Sequence, residues 1–434
     1  MKNKKGEVHK MKINEIKNEL LDEKCYHIVH PTGLNIYVMP KPGYSGAYAV
    51  FGTNYGSIDT KILNKNGEVE DIPEGTAHFL EHKLFESEDL DAFARYAKTG
   101  ANANAYTSFD STCYLFSCTG DFAASLRILL DFVQSPYFTE QTVAKEQGII
   151  GQEITMYKDV ADWEVLFNLL KALYHEHPVR IDIAGTVESI AQITAQTLYD
   201  CYNNFYNLNN MVLAVAGNVD VNEIVSICDE LLKPSEEFKF VRKPHEEPET
   251  IVQNYIEEKL SVAAPIFSLG FKEKYGLPKR TLKQKIATDI LLEMIAGTTS
   301  ELYNSLLEQQ LINTSFGFEQ FTGFGYAATI FNGESKNPEE VAKQIAAKIA
   351  ATREKGIDTE SFERIRRKLY GRAVMSFNDV DEVANDLVGA HFDGVGVFDD
   401  MEIYRTITPD DVNEVLNNCM REDYAALSVI RPIE

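Results

Sequence analysis

Apolar positions along the chain switch repeatedly between a two-residue and a helical rhythm. Over residues 34–40 and 47–57, β-branched, aromatic and small residues alternate between turn-formers such as Pro31-Thr32-Gly33 and Pro42-Gly43, which predicts two strands. Residues 74–85 have helical spacing. The stretch 102–119 is β-like again through Tyr106, Phe109, Tyr114 and Phe116, with Asp110-Ser111 as a hairpin turn. Phe122, Leu126, Leu129, Leu130 and Val133 then recur at helical intervals. Further helices are expected over 141–157, 163–174, 195–205 (from Thr194) and 222–232, with a short buried strand at 211–216.

The texture changes at residues 234–250, where Pro234, Pro244 and Pro248 stand among charges with little periodic hydrophobicity, so this segment reads as a linker. Beyond it the order of elements recurs. A strand is expected at 264–271, a long helix at 282–296, an aromatic and glycine-rich hairpin at 314–332, and a helix at 337–353 opening with Pro338. Thr408-Pro409 starts a helix followed by a strand at 425–430, as Thr194 leads to 211–216. Internal duplication is the simplest account. The expected fold class is α+β, with two α/β-layer domains, 1–233 and 251–434. Each is a mainly antiparallel sheet with helices packed on one face.

Composition narrows the function. Of 434 residues 44% are hydrophobic and 11% aromatic, enough for ordinary cores and against disorder. Lys and Arg number 42 against 66 Asp and Glu, a formal charge of −24 that repels phosphates. Nucleic acid and anionic membranes are therefore excluded as expected partners. Residues 1–21 form a charged leader without the apolar core of a signal peptide, and no stretch reaches the length needed to span a bilayer. Six scattered cysteines without a C-x-x-C pair read as buried free thiols, so the expected location is the cytoplasm.

The sharpest feature is His78-Phe79-Leu80-Glu81-His82. On a helix, positions i and i+4 share a face, so His78 and His82 can offer two imidazole nitrogens to one metal ion. Glu81 flanks that face, placed to hold a water and remove its proton. The order H-x-x-E-H reverses H-E-x-x-H and keeps its mechanical logic. With 9 His in 434 residues, a chance match is rare. Zinc bound by two histidines needs a third protein ligand, usually a carboxylate. Glu146 and Glu153 stand seven residues apart on the expected 141–157 helix and share a face, with Ile149 and Ile150 packing that helix inward. Periodicity leaves either acid as the ligand.

The run from Glu74 to Phe85, Asn104-Ala105-Tyr106-Thr107, Lys145-Glu146 to Gln152-Glu153, and Asn210 to Asn218 together resemble the insulinase/pitrilysin family of zinc peptidases, nearest its small two-domain bacterial members and the mitochondrial processing peptidases. The resemblance implies a processing-peptidase-like metallohydrolase fold and one Zn2+ per chain, held by His78, His82 and Glu153. Glu81 would be the general base, and Glu146 would support the site from behind the ligands. It further implies an endopeptidase for short or unfolded peptides in an enclosed chamber, where the strand bearing Asn104, Ala105 and Tyr106 pairs with the substrate backbone. Many active members add an Arg and a Tyr seven residues apart in the second half. No such pair follows the linker here, and residues 382–398 offer only Asn385 and His391. A homodimer or heterodimer with a related two-domain subunit supplying Arg and Tyr is therefore expected. The alternative is a zinc-binding, weakly active or non-catalytic subunit. Among Phe316, Phe318, Phe321, Phe324 and Tyr326, most are expected in a sheet core rather than lining a peptide cavity. Trp163 and Tyr174 read as core, His175 and His177 as structural or surface residues.

Overall fold

The computed structural model describes residues 12–63, 67–234, 242, 245–273 and 279–433. Two sheets organise them. The first uses β1 (Ile13–Asn18), β2 (Glu23–Val29), β3 (Asn35–Pro40) and β4 (Ala47–Thr53), a separate two-stranded ribbon of β5 (Lys61–Leu63) and β6 (Val69–Asp71) intervenes, and β7 (Asn102–Thr107), β8 (Thr112–Cys118) and β9 (Met211–Gly217) complete the sheet. Its order is β1-β2-β3-β9-β4-β8-β7. The second contains β10 (Tyr255–Leu260), β11 (Ile266–Lys272), β12 (Gly317–Gly323), β13 (Tyr326–Glu334) and β14 (Ala425–Pro432), in the order β10-β14-β11-β13-β12.

The duplication is visible strand by strand. β9 lies between β3 and β4, parallel to the first and antiparallel to the second, and β14 lies between β10 and β11 in the same sense. All other pairings are antiparallel. β4 and β9 are buried along their whole length, as apolar runs covered on both faces should be.

Each sheet carries helices of its own half on one face, as expected, and a helix of the other half covers the second. One face of the first sheet carries its own helices, including Phe122–Val133, Ala195–Phe205 and Val221–Leu231. The other face is closed by the helix Val380–Asp393 of the second half, whose Val383, Ala384, Leu387 and Val388 pack on Tyr48, Val50, Val212 and Ala214. Reciprocally, the helix Ala161–Leu173 of the first half sets Leu169, Leu170 and Leu173 against Ala328, Ile330 and Ala426 of the second sheet. Central strands apolar on both faces demand such cover, because a bare face would leave it in water.

Polar contacts reinforce this exchange. Arg242 grips both carboxylate oxygens of Asp59 at 2.7 Å, and Asp110 accepts from the Tyr326 hydroxyl at 2.8 Å. Glu247 takes the backbone N–H groups of His175, Glu176 and His177 together with Lys272 Nζ. His177 is fully buried at this joint, accepting from Val179 N–H at Nδ1 and reaching the Phe324 carbonyl through Nε2 at 3.0 Å. Tyr174 is core, as expected, while Trp163 is only half-buried.

Other readings change at the edges. Residues 13–18 of the expected charged leader form β1, an edge strand with little apolar content, and residues 1–11 lie outside the described residues. Of the linker, 235–241, 243 and 244 also lie outside them, while Pro234, Arg242 and 245–250 belong to no helix or strand. All six cysteines are buried free thiols, and among the described residues no helix is long and apolar enough to cross a membrane.

Candidate metal centre and active site

The helix Thr76–Leu84 buries Phe79 and Leu80 completely, and this leaves His78, Glu81 and His82 on its remaining face. Its entry is fixed by two glycines in left-handed backbone. A Cβ on Gly75 (φ 85°) would meet the Ala184 carbonyl at 2.3 Å, and one on Gly185 (φ 76°) would meet the Glu74 carbonyl at 2.5 Å. Ser189 Oγ donates to that same Glu74 carbonyl at 2.9 Å. The opposing helix Glu140–Tyr157 starts at a Thr139/Thr142 capping box and buries Val143, Glu146, Ile150 and Ile154. Ile149 is 44% exposed, so of the two isoleucines only Ile150 packs inward; Ile149 falls on the helix flank.

Glu153 lies opposite both histidines, with His78 Nε2 at 3.8 Å and His82 Nε2 at 3.6 Å from its carboxylate oxygens. Donor atoms of His78, His82 and Glu153 all fall within 4.8 Å of one another. Ligands about 2.1 Å from a tetrahedral zinc stand roughly 3.4 Å apart, so the three donors suit such an ion. Glu146 is on the far side of His82, its carboxylate 3.0 Å from Nδ1. Glu81 accepts a hydrogen bond of 2.7 Å from the Thr107 hydroxyl.

Electrostatics follow from burial and these partners. Burial, then the neighbouring His82, pushes His78 down to about 3, which keeps it in the neutral form a metal requires. Burial also opposes the charged form of His82, but the Glu146 hydrogen bond and the charges of Glu81, Glu153 and Glu146 prevail and raise it. Burial raises Glu81 against the opposing Thr107 bond, and raises Glu153 against the opposing pull of His82.

Among the described residues, β7 is the free edge of the first sheet beside this helix. Ser108 N–H bonds Ser111 across the hairpin, so by alternation the backbone groups of Ala103, Ala105 and Thr107 point away from β8. Ala105 N–H is met by the Asn104 side chain at 2.9 Å. Tyr106 projects from the opposite face and donates to Asn385 at 3.0 Å. His391, the other polar candidate on that helix, stands 3.4 Å from the Tyr37 hydroxyl. Phe316 and Tyr326 are buried, and Phe318, Phe321 and Phe324 are half-buried. Thr107, to which the sequence by itself assigns no role, shares the parity of Ala103 and Ala105 on β7.

The family described as "Insulinase (Peptidase family M16)" matches residues 65–187, and the one described as "Peptidase M16 inactive domain" matches 192–369. The chain is 40% identical over 427 residues to the "Uncharacterized zinc protease YmfH" of Bacillus subtilis (strain 168), covering 97% of this chain and 99% of that protein. Among solved structures it is similar to a putative M16-like peptidase from Alicyclobacillus acidocaldarius, with a TM-score of 0.91 and 38% identity over 95% of this chain and 99% of that one. A protease from Helicobacter pylori shares the fold, with a TM-score of 0.81 at 18% identity, over 94% of this chain and 100% of that one. By sequence and by fold, the chain belongs to the insulinase family of zinc proteases.

Proposed function

We propose that the chain is a cytoplasmic zinc-dependent endopeptidase for short or unfolded peptides, bound in an enclosed chamber, with one zinc held by His78, His82 and Glu153. The observation that carries this reading is the convergence of those three donors within 4.8 Å, with Glu81 beside them and outside the donor set. A structural zinc is closed by four protein ligands, whereas three leave a position open, and an adjacent base is useful only there. When bound, zinc supplies a Lewis acid that polarises the scissile carbonyl and lowers the pKa of a coordinated water. Glu81 takes the proton of the attacking water and returns it to the leaving amine, so the reaction needs no covalent intermediate. Glu146 fixes the tautomer and direction of the His82 ring. The outward groups of Ala105, within the Asn104-Ala105-Tyr106 stretch, and of Ala103 just before it pair with an extended substrate backbone and read few side chains.

Glu81→Gln tests the reading. Zinc content, measured by plasma mass spectrometry, should be unchanged while peptide cleavage falls by about 10²- to 10⁴-fold. Equal cutting of a peptide library by the variant and the parent would overturn it. A second reading, in which a related chain completes the site, is favoured by one sequence fact: after residue 250 no Arg is followed seven residues later by Tyr. It predicts specific activity that rises when a related chain carrying that pair is added. Full activity of a monomer in a sedimentation-matched assay would remove it.

A further inference from the structure

The hydroxyl that meets the Glu81 carboxylate belongs to the last residue of the free edge strand. Thr107 is β-branched, so its χ1 is restricted and its hydroxyl direction follows the strand backbone. That strand end stands opposite Thr112, which is fully buried and donates to the Tyr55 carbonyl at 2.9 Å, and the next residue, Ser108, bonds Ser111 across the hairpin. Glu81, by contrast, is a long side chain on the helix Thr76–Leu84, and only a partner outside that helix can fix its far end. From this geometry we infer that Thr107 is a positioning residue: its hydroxyl, beside its own backbone N–H, holds the Glu81 carboxylate in the direction from which it serves the attacking water. Because β7 is also the edge offered to the peptide, docking of a substrate strand at Ala103 and Ala105 steadies the same residue that aligns the base. Substrate engagement and base alignment are thereby coupled through one strand.

This inference rests on the peptidase reading above, and its test separates the two. Thr107→Val removes the hydroxyl at nearly constant shape, and Thr107→Ser keeps it. For Thr107→Val, zinc content should stay at the parent value and KM should stay within about twofold, while kcat falls by about 10- to 100-fold, the loss expected for a misaligned reacting group. Thr107→Ser should recover most of kcat. Crystal structures of both zinc-loaded variants give a readout that does not depend on turnover: the Glu81 carboxylate leaves its present position in the valine variant and keeps it in the serine variant. A Glu81 side chain unmoved in Thr107→Val, equal kcat losses in the two variants, or a loss accompanied by zinc release would each overturn the positioning role. Failure of the peptidase reading shows separately, as Glu81→Gln cutting like the parent.

Discussion

The two histidines of one helix have unequal surroundings. His78 is held neutral by burial, whereas His82 is steered from behind by Glu146 at Nδ1 and faces Glu153 at Nε2. Removing the rear partner should loosen the ring without removing a donor. Glu146→Gln is therefore expected to weaken zinc binding by about 10- to 100-fold, measured by chelator competition. The sequence shows why such a distinction was hard to reach. The spacing of His78, Glu81 and His82 specifies a shared helix face by itself. Glu146 and Glu153, two turns apart, are equivalent to any periodicity argument. They differ in that Glu153 faces Nε2 of both histidines while Glu146 meets only Nδ1 of His82, a fact of helix-on-helix packing with no local trace in the chain.

At the scale of elements, the contact of Gly75 and Gly185 sets where the metal-facing helix begins. Gly185→Ala introduces a side chain in left-handed backbone and 2.5 Å from the Glu74 carbonyl. The expected loss is about 1–3 kcal/mol, seen as a lower Tm, together with reduced zinc occupancy as the helix start shifts. Unchanged Tm and zinc content would show that the contact does not govern the helix. Legibility at this scale followed burial. Met211–Gly217 was readable because an interior strand is a plain apolar run. β1 was lost in a charged leader, and β10, with Glu257, Glu258 and Lys259 in six residues, lacks the alternation of a half-buried strand. Both are edge strands with half their surface in water; β1 pairs only with the adjacent β2 and β10 only with the distant β14, so neither carries the apolar pattern that marks an interior strand.

Across the whole molecule, the halves meet at a joint that contains His177. Burial, and then His245, press this ring down to about 4, below the ordinary imidazole value, against the opposing Phe324 hydrogen bond. Above about pH 6.5 neither the folded nor the unfolded state holds the proton, and the stability of the neutral joint is fully present. As pH falls from about 6.5 toward 4, the unfolded chain binds a proton that the folded one refuses. Stability is lost across that window, by roughly 3 kcal/mol at its lower end. His177→Gln, which can donate and accept at the same places, should show a shallower fall in Tm between pH 7 and 4.5. Parallel curves for variant and parent would assign the acid sensitivity to other groups. The duplicated sheets were legible as a repeated order of elements, but the helix exchange between them was not, because periodicity marks an apolar stripe without naming the surface it covers.

That exchange also bears on biosynthesis. The outer face of the first sheet, with Tyr48, Val50, Val212 and Ala214, has no cover until residues 380–393 have been made. Most of the polypeptide must therefore leave the ribosome before the earliest strands can be closed, and until then they present a bare apolar face suited to a chaperone. The two similar halves thus share their interiors, and neither completes its own.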